Sequence, residues 1–120
     1  MTFVLYGETP SKKNSRVLNT RTRRSFPNKR YAEWHDHAVL QVRSQARGYK
    51  APLPCSIVIK FWHGDKRIRD SDNMLSSILD MLIDSGILLD DRWEYVPHKE
   101  VFDFYERGKP RCEIMVEEQK

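Results

Sequence analysis

Apolar and polar positions fall into blocks along the chain, and each block has its own period. Thr2–Tyr6 is a β-branched and aromatic run ended by Gly7, which predicts a first strand. Pro10-Ser11 then opens a polar stretch with few apolar residues, expected to be a loop reaching to about residue 30. Asn28 is a good helix cap, and Tyr31, Trp34, Ala38, Val42 and Ala46 recur at three- and four-residue spacing until Gly48. That spacing predicts a helix with His35, Arg43 and Arg47 on its outer face. Pro52 and Pro54 separate it from Cys55–Trp62, an apolar β-branched run expected to be a central strand. The charged turn Gly64–Arg69 leads into a second helix, capped by Asp70 or Ser71, with Leu75, Ile78, Leu79 and Leu82 as its buried stripe and Gly86 as its stop. Arg92–Tyr105 and Pro110–Glu117 read as two further strands, joined at Arg107-Gly108-Lys109 as a hairpin. The order is β-α-β-α-β-β: a single α+β domain over residues 1–120, with a mixed sheet packed against two helices.

Composition adds one strong feature to this pattern. The net charge of +4 hides an asymmetry, because residues 11–50 hold eleven Lys/Arg against only Glu33 and Asp36, a local +9, while the remainder sums to −5. Residues 11–30 contain Lys12, Lys13, Arg16, Arg21, Arg23, Arg24, Lys29 and Arg30 and no acid. Such a run predicts a mobile arm or loop that binds a polyanion. No stretch approaches the roughly 20 apolar residues of a membrane span, and the N-terminus lacks a basic-then-apolar leader, so a cytoplasmic location is expected. Cys55 and Cys112 fall in predicted strands among apolar neighbours and are expected to be buried and reduced.

Candidate chemistry lies in the acids. Asp70-Ser71-Asp72-Asn73 stands at the strand-to-helix junction, and Asp90-Asp91 follows the helix stop. Carboxylates this close repel unless a cation sits between them, and a hard divalent ion such as Mg²⁺ suits oxygen ligands. Any one of these aspartates is more simply a cap or a turn residue. The joint pattern of DxDN, helix, Gly and DD points instead to a metal site, provided that the chain returns across the sheet to bring the second pair to the first. An acidic metal site inside a basic protein predicts a metal-dependent nuclease.

Arg69-Asp70-Ser71-Asp72-Asn73, Leu79-Asp80-Met81-Leu82 and Ser85-Gly86-Ile87-Leu88-Leu89-Asp90-Asp91 resemble the RusA family of Holliday-junction resolvases, as does the opening Pro10-Ser11-Lys12-Lys13-Asn14. The resemblance implies a homodimeric α+β endonuclease that nicks four-way DNA junctions with Mg²⁺ or Mn²⁺. It implies Asp70, Asp72 and Asp91 as catalytic and metal-binding carboxylates, with Asp90 a neighbour of lesser weight. Lys12, Lys13, Arg16, Arg21, Arg23, Arg24, Lys66, Arg67 and Arg69 are the expected DNA contacts. One position departs from the family: one turn past Asp72, where it commonly places a lysine needed for efficient cleavage, this chain has Ser76. The chain is therefore expected to be slow unless another cation substitutes.

Other residues carry less. His35, His37 and His98 are expected to be surface or core histidines, and His63 is the one to watch because it ends the strand leading to the acids. Trp34, Trp62 and Trp93 read as core or dimer-interface aromatics, and Phe26 as a wedge at an opened junction. Asp80 reads as an orienting neighbour rather than a ligand. Two rival functions remain open: a RusA-like DNA-binding protein with weak or no cleavage, which Ser76 favours, and a nuclease acting on RNA or single strands, since phosphate contacts do not identify the polymer.

Overall fold

The computed structural model describes residues 1–11 and 29–119 in full, and the backbone alone of 16–19 and 24–27. The elements are β1 (Thr2–Tyr6), β2 (Arg16–Asn19), β3 (Arg24–Pro27), α1 (Lys29–Ala46), β4 (Cys55–His63), α2 (Ser71–Asp84), β5 (His98–Tyr105) and β6 (Arg111–Glu118). The main sheet runs β1-β6-β4-β5, with β6 antiparallel to both neighbours and β5 parallel to β4. This is the expected α+β order with a mixed sheet and two helices.

Alternation decides which face is covered. In β4, Cys55, Ile57, Ile59 and Phe61 are buried while the residues between them are half-buried. They meet Phe3 and Leu5 of β1 and Cys112, Ile114 and Val116 of β6 on the face under the helices. Helix α1 adds Ala38, Val42 and Ala46, and α2 adds Met74, Ile78, Met81 and Leu82. Both cysteines are free and buried, as expected, and burial pushes the Cys112 thiol up to about 12. The other face carries Val58, Trp62, Phe102, Phe104 and Met115, partly exposed and without a helix over it. On that face Trp62 stacks on Phe104, and the Arg111 guanidinium lies 4.5 Å from the Trp62 ring centre. At the β1 edge the Gln45 amide accepts from Val4 N–H (2.8 Å) and donates to Val4 C=O (2.7 Å), filling the ladder position of an absent strand. Among the described residues, no helix is long and apolar enough to cross a membrane.

Three boundaries differ from the sequence reading. The basic segment expected to be a loop contains β2 and β3, paired antiparallel. The strand expected from Arg92 starts at His98, because Tyr95 and Val96 N–H both bond to Arg92 C=O and make a turn first. The hairpin expected at Arg107–Lys109 does not form, because β4 lies between β5 and β6. Stepping over one strand spans only about 10 Å, within reach of a five-residue link. That link crosses the exit of β4: Glu106 N–H bonds to His63 C=O and Gly108 N–H to Gly64 C=O. Gly64 is required there, since a Cβ on it would sit 2.8 Å from Pro110 Cδ.

The parallel pairing fixes where the acids go. Ser56 pairs with His98 and His63 with Tyr105, so both strands finish at one end of the sheet, the upper end. Asp70 and Asp72 follow β4 and lie there. Helix α2 then runs back over about 21 Å. It closes in a Schellman turn, Ile87 N–H to Leu82 C=O and Gly86 N–H to Ile83 C=O, with Gly86 at φ +80°. The next segment docks at the lower end, with Ile87 C=O accepting from Ala51 N–H and Tyr95 C=O from Cys55 N–H.

Candidate active site

Asp70 caps α2. Its backbone is extended (φ −105°, ψ 106°), Oδ1 accepts from Asp72 N–H (3.0 Å) and Oδ2 from Asn73 Nδ2 (3.1 Å). The capping role that sequence offers as the simpler explanation is thus real, and it points one carboxylate at the helix N-terminus, where the dipole favours negative charge. Asp72 lies in the first turn, and no ion pair among the described residues neutralises it. Ser76 turns its Oγ back to Asp72 C=O (3.2 Å), so its hydroxyl is engaged with its own helix.

The preceding turn is tied tightly. Asp65 accepts from Arg67 N–H (3.0 Å) and Arg69 Nη2 (2.7 Å), and these two donors hold its carboxyl below the ordinary value. Arg69 also pairs through Nε with Glu8 (2.8 Å) and is only 18% exposed. This expected DNA contact is therefore an internal strut, whereas Arg67 is 79% exposed. Lys66 rests over the Tyr105 ring at 5.0 Å. Beside Asp70 opens a cavity of about 470 Å³, lined among others by Glu8, Ser11, Arg30, Arg67 and a fully exposed Ile68. The start of the basic segment is fixed against this cavity by Ser77 Oγ, which donates to Pro10 C=O (2.7 Å).

The second acidic pair is elsewhere. Asp90 accepts from Asp91 N–H (2.8 Å) and pairs with Arg92 (2.9 Å), which holds its carboxyl below the ordinary value. Both aspartates sit in the segment docked at the lower end of the sheet. Among the described residues, no three His, Cys, Asp or Glu side chains lie close enough to share a metal. One chain therefore does not bring Asp91 to Asp70 and Asp72. The strand does lie beside β4, but being parallel to it that strand starts at the end opposite Asp70, so the return across the top of the sheet that would join the two pairs does not occur.

Sequence reasoning also missed partners at the upper end. His63 Nδ1 lies 2.7 Å from Glu8 and Nε2 2.8 Å from Asp103, while Ser71 Oγ donates to the other oxygen of Asp103 (2.6 Å). Only the position of His63 at the end of its strand signalled this. Of the expected DNA contacts, Lys12, Lys13, Arg21 and Arg23 lie outside the described residues, as do the side chains of Arg16, Arg24 and Phe26.

The donor set of one chain, two carboxylates beside open solvent, fits Mg²⁺, which is commonly held by one or two carboxylates plus water and phosphate. Residues 7–117 match the family described as Endodeoxyribonuclease RusA. A relative from Aquifex aeolicus (strain VF5), "Crossover junction endodeoxyribonuclease RusA", is 27% identical over 89 residues, spanning 74% of this chain and 71% of that protein. The family match covers both acidic pairs, the charged turn, both helices and the sheet apart from β1 and the last residue of β6, and on it the chain belongs to the RusA family of endodeoxyribonucleases.

Proposed function

We propose that this protein is a divalent-metal-dependent endonuclease that nicks four-way DNA junctions as a homodimer. The observation that carries the reading is Asp70, with Asp72 in the helix turn that follows it, beside a cavity that also presents Arg30 and Arg67. Asp70 and Asp72 would hold Mg²⁺ or Mn²⁺, which when bound polarises a phosphoryl oxygen and lowers the pKa of water. The protein's own residues do the rest. The capped α2 N-terminus and the arginines favour the phosphate, and Ile68 offers an apolar contact for a sugar or base.

Pairing of two copies gives Asp91 a role. A two-fold axis across the strands sets the upper end of one copy against the lower end of the other, so Asp91 of a second copy would complete each Asp70/Asp72 pair. Two such sites match the two equivalent strands of a junction. The uncovered face with Trp62, Phe102 and Phe104 offers apolar area for this contact.

A second reading, a junction-binding protein with little cleavage, is favoured by Ser76, which brings no charge to the site. Labelled four-way junction, matched duplex and single strand, each with and without Mg²⁺, separate these readings and the RNA or single-strand alternative. Metal-dependent nicking of the junction alone is expected. In Asp70→Asn, nicking should vanish while junction binding and helix capping persist, because asparagine caps as well as aspartate. Full nicking by that variant would remove the metal assignment.

A further inference from the structure

We propose that His63 is a positioning residue that, as an imidazolium bridging Glu8 and Asp103, fixes the turn bearing Asp70 and Asp72. This rests on the metal-site reading above.

Both ring nitrogens of His63 face carboxylate oxygens at 2.7 and 2.8 Å. A carboxylate only accepts, so both nitrogens must donate, and the ring carries a proton on each. Each carboxylate then holds one side of the turn. Glu8 binds Arg69, immediately before Asp70, and Asp103 binds Ser71, between Asp70 and Asp72. Three elements thereby meet on one ring: the segment after β1, the end of β4 and the middle of β5. The ring is 14% exposed and stacks on Phe61. The charged groups facing this cluster are Glu8, Asp65, Asp103, Arg69, Arg67 and Lys66.

A neutral His63 would turn a lone pair towards one carboxylate, breaking that hydrogen bond and loosening one anchor. Burial lowers the pKa of His63, but the hydrogen bonds and charges of Asp103 and Glu8 outweigh it, and the net shift is upward. The sign follows. A raised folded pKa means that the bridge contributes fully below the ordinary histidine value and is lost as pH rises through the raised one.

The test uses the full-length protein in four forms: parent, His63→Ala, His63→Gln and Asp103→Asn. Mn²⁺ binding without DNA, single-turnover junction cleavage against pH, and NMR titration of the His63 ring are measured. Loss of a partner that orients a ligand costs about 10–100-fold in metal affinity or activity. Losses of that size are expected in both His63 variants, in Mn²⁺ affinity and in cleavage rate, with junction affinity unchanged and excess Mn²⁺ restoring rate. The alkaline fall of parent activity should coincide with the His63 ring titration. In Asp103→Asn the amide can donate to a neutral His63 and still accept from Ser71, so that alkaline fall should disappear. Parent-like Mn²⁺ affinity in whichever His63 variant folds, or a ring that titrates at or below the ordinary histidine value, overturns the proposal. A parent that binds Mn²⁺ but cleaves nothing sinks the nuclease reading instead, and the binding and NMR arms still decide the role of His63.

Discussion

Asp70 does two jobs with one carboxylate. It caps α2 through Asp72 N–H and Asn73 Nδ2 and still presents lone pairs towards the cavity. At this scale much was legible. The DxDN signature and its capping of a helix can be read from the chain, because they depend on residue type and near spacing, whereas Ser76 stands out only against the family resemblance. What could not be read was commitment. Arg69 looks like any other arginine in a basic turn, yet Glu8 and Asp65 hold it inside. Glu8 itself is sixty-two residues from Asp70, and no local period links them. Ser76 yields a direct prediction: its Oγ is spent on Asp72 C=O and its position is exposed, so Ser76→Lys should fold normally. A charge-stabilising donor is typically worth about 10²–10³ in rate. Single-turnover cleavage should therefore rise by a factor approaching that range with junction binding little changed. If the rate does not move and the parent is already fast, Arg30 or Arg67 supplies the charge, and replacing each by alanine should identify which.

At the scale of elements, periodicity served the helices well and connectivity poorly. The stripes of α1 and α2 are buried as their spacing predicts, with Trp34 and Leu75 only partly so. The short Arg107–Lys109 link looked like a hairpin because loop length alone does not say which strand is the neighbour. Parallel pairing of β4 with β5 is a non-local choice that no local period announces, and with it Asp90 and Asp91 fall at the far end. The crossing link has its own test. Gly64→Ala forces a Cβ against the stiff Pro110 ring, and overpacking of this kind typically costs about 1–3 kcal/mol. Chemical denaturation should show a loss in that range, and Gly64→Ala with Pro110→Ala should recover part of it. An undiminished stability in the single variant would mean that the link runs elsewhere.

The whole molecule joins a basic segment, an acidic site and a bare sheet face. If residues 11–30 supply most of the DNA affinity, log K should fall by about 0.9 per log[salt] for each phosphate neutralised. Arg21, Arg23 and Arg24 replaced together by alanine should flatten that slope by two to three such steps, at about 0.9 each, in binding isotherms. An unchanged slope would place the DNA surface on Lys66 and Arg67 instead. We propose that each site is built from two copies, with Asp70 and Asp72 from one and Asp91 from the other. Mixing Asp70→Asn with Asp91→Asn protein under exchange tests it most directly. In a shared arrangement one site of the mixed dimer collects both lesions and the other collects none. Two inactive proteins should then combine into one that nicks junctions, with about a quarter of the parent's sites restored at full exchange. If mixed dimers form and no cleavage returns, the sites are not shared between copies.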